Sequence, residues 1–170
     1  MTIDASLLTA LVDGELAKIS DIRVRAHINA LRVQPTVSLR DWDYGREGQQ
    51  YPCWIVLRHS ASDTGIAHCE FGFGPRSPWG LITLKDYGQG SSIGMDCSWY
   101  TTFVEAFFAT SAAADLPIWR VFMTDGPLGE RRSISDEGNW DTTFAKVRAL
   151  RSEDPANRYE CSTSIEFERE

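Results

Sequence analysis

The chain lacks an apolar run long enough to cross a membrane, because Asp, Arg or Gly interrupts each apolar stretch well before the roughly 18 uncharged residues that a spanning helix requires. Asp4, Asp13 and Glu15 also interrupt residues 1–19, so this segment does not fit a cleaved secretory signal. These two absences predict a cytoplasmic protein with no membrane partner.

Clustered cysteines are also absent. No C-x-x-C pair occurs, and without an export signal the thiols are expected to be free. The four residues concerned are Cys53, Cys69, Cys97 and Cys161. The nearest candidates for a metal site are His59, His68 and Cys69, but His68 and Cys69 are adjacent and would point apart on a strand. The sequence therefore predicts no disulfide, no metal and no cofactor.

Catalytic and nucleotide-binding motifs are missing as well. The glycine-rich segment 72–80 matches neither dinucleotide nor phosphate-loop patterns, and its two prolines remove amide donors that a phosphate cradle uses. No G-x-S-x-G, H-E-x-x-H or S-x-x-K sequence occurs, and three histidines leave few general bases. We therefore expect no catalytic residue.

One enzymatic alternative stays open at Cys97. A cysteine predicted at a helix start can have a lowered thiol pKa, because the helix dipole favours the thiolate. The base would be His59 or His68, and the neighbouring Asp96 would oppose thiol ionisation. A second alternative is a small-ligand-binding module.

Basic residues are outnumbered, since 24 Asp and Glu against 17 Lys and Arg give a net charge of -7. Proteins that bind nucleic acid concentrate Lys and Arg to contact phosphates, so this balance argues against a nucleic-acid partner. A charged protein partner is expected to be basic.

The pattern of apolar residues predicts a single α+β domain over residues 1–170. An antiparallel central sheet would carry N-terminal helices and one aromatic-rich core helix packed on it. Two helices are expected before Pro35, and a third over 98–114, capped by Asp96 or Ser98, with a short fourth over 141–150. Strands are expected over 36–44, 51–59, 65–73, 79–84 and 118–123, then from Tyr159, and a polar loop over 125–138. The core is predicted to bury Trp54, Leu57, Phe103 and Phe107.

Aromatic and acidic residues in predicted loops and strand ends are the candidates for binding a partner. A cluster of acids and aromatics surrounds Trp42, and the rigid loop 72–79 presents residue types that are enriched at binding hot spots. The predicted partner-binding residues are Asp41, Asp43, Tyr44, Arg76, Trp79 and Asp86.

Three features give the chain its overall character: the stretch 54–79, the aromatic segment 99–108 and the acidic tail 160–170. In these features the chain resembles the immunity proteins of bacterial polymorphic-toxin and contact-dependent inhibition systems. The resemblance implies a protein-binding inhibitor that neutralises a cognate toxin by stoichiometric binding, and it implies no role for individual residues.

Overall fold

The computed structural model describes residues 3–42, 45–71, 76–85, 98–126 and 129–165, together with the backbone of 92–93. The helices are α1 (Ala5–Leu16), α2 (Ile22–Leu31), α3 (Phe103–Phe108), α4 (Ser111–Ala114) and α5 (Trp140–Glu153). The strands are β1 (Arg32–Trp42), β2 (Gln50–His59), β3 (Thr64–His68), β4 (Trp79–Thr83), β5 (Ser92–Ile93), β6 (Trp99–Tyr100), β7 (Trp119–Thr124), β8 (Arg131–Ser133) and β9 (Arg158–Thr163). Within these ranges, no helix has both the length and the apolar character to span a bilayer.

Two sheets organise the described residues. The larger has the order β5-β1-β2-β3-β4-β6, in which β1, β2, β3, β4 and β6 pair antiparallel and β5 lies parallel to β1. The smaller has the antiparallel order β8-β7-β9. This is the α+β class with the antiparallel sheet, N-terminal helices and aromatic core helix that the sequence predicts. Two compact units, Met1–Ala113 and Ala114–Glu170, contain one sheet each, and the single domain stays a prediction.

The two N-terminal helices are confirmed, and each begins at an aspartate. The Asp4 side chain accepts a hydrogen bond from the backbone N–H of Leu7, and Asp21 caps α2 in the same way. The apolar stripe of both helices is buried in unit 1 and comprises Leu8, Val12, Leu16, Val24 and Ile28. The N-terminal helices therefore form one wall of the core of that unit.

The boundary between α2 and β1 differs from the prediction. Pro35 was expected to end the helix, but α2 ends at Leu31 and Pro35 lies inside β1. The β1–β2 register shifts between Arg32 and Thr36. A strand tolerates proline at such an irregularity because the ladder hydrogen bond is already interrupted there.

The aromatic helix begins later than its predicted start at residue 98. Trp99 belongs to β6 and pairs with Gly80, and the helical region is divided into α3 and α4. Thr102 caps α3, because its hydroxyl accepts from the Glu105 N–H while the Glu105 carboxylate accepts from the Thr102 N–H. This capping box, rather than Asp96 or Ser98, sets the start of the helix. Asp96 lies outside the described residues.

The core face of this helical segment is nevertheless as predicted. Phe103, Ala106 and Phe107 are inaccessible to solvent, and Thr110 is buried. Phe103 contacts the Trp79 ring of β4 at a centroid distance of 5.5 Å. The aromatic helix therefore packs on the larger sheet.

Glu15 of α1 provides a second cap for α3. Its two carboxylate oxygens accept hydrogen bonds from the backbone N–H groups of Phe103 and Val104, at 3.1 and 2.9 Å. Glu15→Ala removes both acceptors from a helix start, so we expect the free energy of unfolding to fall by about 1–2 kcal/mol in urea titration. Glu47→Ala, in an exposed loop, is the matched control and should change it by less than about 0.5 kcal/mol. Equal effects from the two variants would contradict this role of Glu15.

Unit 2 matches the predicted strand, helix and terminal strand. Asn139 caps α5, and Val121, Met123, Val147 and Tyr159 pack together between that helix and the sheet. β9 lies at a sheet edge as predicted. The predicted loop 125–138 is wrong at Arg131–Ser133, which pairs with β7 as the strand β8. Three exposed polar residues have no apolar alternation from which a strand could be predicted.

Candidate protein-binding face

A row of four side chains crosses one face of the larger sheet and passes from solvent into the core. Val37 pairs with Trp54, Trp54 with His68, and His68 with Trp79. Directly paired residues project to the same face. Val37 is 52% exposed, Trp54 is half-buried, and His68 and Trp79 are 6% and 3% exposed. The exposure falls along the row because Phe103 of α3 covers Trp79.

The neighbouring row on the same face is also apolar and open. Leu39 pairs with Pro52 and is 60% exposed. Phe71, which follows β3, is 55% exposed and lines a pocket together with Pro52 and Trp54. We call the five residues Val37, Leu39, Pro52, Trp54 and Phe71 the β1–β2 patch.

A pocket of about 360 Å³ lies within this region. It is lined by Ile3, Pro52, Trp54, His68, Glu70 and Phe71. The volume is at the lower end of the range for ligand pockets, and most of the lining is apolar or aromatic. A single large side chain of a partner protein would therefore fit it better than an extended cofactor would.

The electrostatics of the pocket depend on His68 and Glu70. Burial lowers the pKa of His68, and the Glu70 charge partly opposes that shift. His68 is therefore neutral at pH 7, and its Nδ1 has no hydrogen-bond partner among the described residues. Glu70 is exposed and is the one formally charged group among the described residues that line the pocket. The pocket accordingly combines aromatic surfaces with one negative charge.

The predicted partner-binding residues are not gathered at one described surface. Asp41 is half-buried near the end of β1, where it pairs with Gln50 on one side and Ser92 on the other. Arg76 is exposed in the turn before β4. Asp43, Tyr44 and Asp86 lie outside the described residues, and a role for these six residues in binding stays a prediction.

Trp79 occupies the core rather than a surface loop. It is the first residue of β4 and contacts the His68 ring at 4.9 Å and the Phe103 ring at 5.5 Å. With 3% of its surface exposed, it offers a partner almost no area in this structure. The sequence placed Trp79 both at the end of the rigid loop 72–79 and at the start of a strand over 79–84. The structure confirms the strand, in which Trp79 pairs with His68 and Tyr100.

The environments of Cys53, Cys69, Cys161 and His59 are typical of residues that support the fold rather than of catalytic residues. Cys53 and Cys69 are inaccessible, and desolvation raises the pKa of the Cys161 thiol to about 11, which opposes formation of a thiolate. His59 Nδ1 lies 2.7 Å from the Ser62 hydroxyl oxygen in the turn between β2 and β3. Cys97, the thiol of the enzymatic alternative, lies outside the described residues. Within those residues, no group of three His, Cys, Asp or Glu side chains could hold a metal ion.

A second concave surface lies in unit 2, between α5 and the smaller sheet. It has a volume of about 770 Å³ and presents charges of both signs, from Arg120, Lys146, Asp136 and Glu153. This mixture favours no single chemical class of ligand.

Most of the β1–β2 patch was missed in reading the sequence. Trp54 was predicted to be buried but is half-buried, whereas Leu57, Phe103 and Phe107 are buried as predicted. Alternation of apolar residues places side chains on one face of a strand but does not indicate whether a helix covers that face. Comparison of the chain with protein-family models, with curated proteins and with solved structures finds no match.

Proposed function

We propose that this protein is a protein-binding inhibitor of the immunity type, which neutralises a cognate toxin by stoichiometric binding through the β1–β2 patch. The observation that carries the proposal is the exposure of Val37, Leu39 and Phe71 beside the half-buried Trp54 on one continuous face. Contiguous exposed apolar surface has a desolvation cost in the free protein and is typical of sites that another molecule covers.

The composition of the patch suits protein recognition. Trp54 and Phe71 are large and rigid, so they supply contact area with little loss of conformational entropy on binding. Trp54 is held on both sides by paired strands, since it pairs with Val37 of β1 and His68 of β3. A partner would therefore meet a preformed aromatic anchor.

The pocket beside the patch favours a basic side chain of the partner. A Lys or Arg side chain could place its apolar stem between Trp54 and Phe71 and its charge near Glu70, which combines cation–π and charge attraction. Neutral His68 does not repel such a cation. The net charge of -7 supports the same sign of partner at long range.

The enzymatic alternative depends on Cys97 with His59 or His68, and the buried, neutral His68 supports a packing role for that residue. The concave surface of unit 2, which has the volume of a ligand pocket, is the feature that favours a small-ligand-binding module. Binding through the β1–β2 patch is preferred because it accounts for exposed apolar surface that neither alternative uses.

The test is affinity capture from cells of the source organism with the full chain as bait, followed by quantitative mass spectrometry. The expected result is one protein recovered in equimolar amount with the wild type and lost with Trp54→Ala. Ile22→Ala is the matched control, because Ile22 is an apolar residue of α2 that is 71% exposed and does not belong to the patch. If the captured protein is recovered in the same amount with the wild type, Trp54→Ala and Ile22→Ala, the β1–β2 patch is excluded as its binding site.

Charge reversal at Glu70 should mainly slow association with the captured protein. Glu70→Lys replaces attraction by repulsion at an exposed position, so we expect the association rate constant to fall about tenfold at low salt and less in high salt. Surface plasmon resonance at several salt concentrations measures this. Glu47→Lys, which has the same charge change in the exposed turn before β2, is the control for net charge. A Glu70→Lys effect no larger than that of the control would contradict a specific role for the pocket.

A further inference from the structure

Within the part of the chain that the structure describes, the outer edge of β1 is open over most of its length. β2 pairs with one side of β1 from Arg32 to Asp41, but on the other side β5 pairs only with Asp41 and Trp42. Among the described residues, no strand lies beside the outer edge at positions 33–40. An unpaired edge of this length is a template for another strand.

The register shows which backbone groups point outward. Leu39 lies opposite Pro52, which has no N–H, so this pair is of the non-hydrogen-bonded type. The N–H and C=O of Leu39 therefore point away from β2, and by the two-residue repeat so do those of Val37 and Asp41.

Over residues 36–39 the edge lacks the charges, prolines and bulges that normally prevent strand addition. No charged residue occurs over 33–39, and Pro35 lies within the register shift that precedes Thr36. Arg40 is buried, and its Nη2 donates to the Thr83 carbonyl at 3.0 Å. Its charge therefore does not oppose the addition of a strand at this edge. Val37 and Leu39 remain as exposed apolar side chains on an edge that no described strand covers at these positions.

We propose that the outer edge of β1 binds a second copy of this chain, so that two copies form one continuous antiparallel sheet. The segment is self-complementary. With the two-fold axis at Ser38, Val37 of one subunit lies opposite Leu39 of its partner, and Leu39 opposite the partner's Val37. The four apolar side chains meet on one face, and each Arg40 faces a Thr36 rather than another Arg40.

The expected dimer is weak, because the pairing is limited to residues 36–40. The register shift diverts β1 before Thr36, and β5 occupies the edge from Asp41. Such an interface is smaller than that of a permanent dimer, so we expect a dissociation constant in the range of about 10–100 µM. The two β1–β2 patches would then adjoin across the axis. The dimer does not depend on the proposed inhibitor function.

Sedimentation equilibrium of the full chain from about 1 to about 500 µM tests the dimer, since this range brackets the expected constant. The weight-average mass of the wild type should rise from the 19.1 kDa of one chain toward twice that value. Leu39→Lys places a charge on the edge and should remain monomeric, whereas Ile22→Lys, on exposed α2, should dimerise like the wild type.

Hydrogen exchange of the wild type locates the interface even if Leu39→Lys fails to fold. The backbone amides of Val37 and Leu39 should become protected from exchange as the protein concentration increases. The exchange of amides on the exposed faces of α1 and α2 should not change. A wild type that stays monomeric throughout, or a dimer without this protection, overturns the proposal. A folded Leu39→Lys variant that dimerises like the wild type would also overturn it.

Discussion

Trp79→Ala is expected to lower the free energy of unfolding by about 3–5 kcal/mol, because it leaves a large cavity in a packed aromatic cluster. Trp79 contacts the rings of His68 and Phe103, and the latter ties α3 to the sheet. Urea denaturation followed by circular dichroism measures the change. Tryptophan at this position thus contributes to the stability of the fold.

Val37→Ala is the control for this measurement, since it shortens another side chain in the same row of paired strand residues. Val37 is more than half exposed, so its truncation should lower the free energy of unfolding by less than about 1 kcal/mol. If Trp79→Ala also changed stability by less than about 1 kcal/mol, the side chain could not be part of the core, and the predicted surface role of Trp79 would be restored.

Trp54→Ala should raise the Kd for the captured partner at least about 30-fold, which corresponds to the 2 kcal/mol of a binding hot spot. Trp54 is half-buried and lines the pocket with Pro52 and Phe71, so it combines a fixed position with accessible aromatic surface. The truncation should affect binding more than stability. Isothermal titration calorimetry measures the affinity, and urea denaturation checks the fold.

Leu11→Ala is the matched control for the affinity measurement. Leu11 is an exposed apolar residue of α1 outside the patch, and its truncation should change the Kd by less than about twofold. An unchanged Kd for Trp54→Ala in a folded variant would remove the anchor on which the proposed binding face depends.

The sequence predicted the elements whose formation is governed by local pattern. The helical spacing of Val24 and Ile28 placed α2, and the alternation that begins at Tyr159 placed β9. The spacing of Phe103 and Phe107 identified the core face of the aromatic helix. In each case the spacing of apolar residues within one short segment is enough to indicate which face is apolar.

Element boundaries that depend on distant residues were predicted wrongly. Trp99 looked like the first turn of a helix, but its pairing with Gly80 makes it a strand residue. Arg131–Ser133 looked like loop, but β7 offers these residues a backbone ladder that needs no apolar side chain. Long-range hydrogen bonds outweighed weak local preference at both positions.

The candidate binding face shows the clearest division between sequence and tertiary structure. Trp54 and Trp79 are both tryptophans in predicted strands, and the sequence alone determined that each belongs to an apolar strand of an α+β fold. Only the tertiary structure decided that Trp79 is covered and Trp54 half-open, because Phe103 of α3 packs against Trp79 and leaves Val37, at the other end of the row, exposed. Burial depends on which other part of the chain packs over the strand. The alternation of apolar and polar residues within the strand does not contain that information.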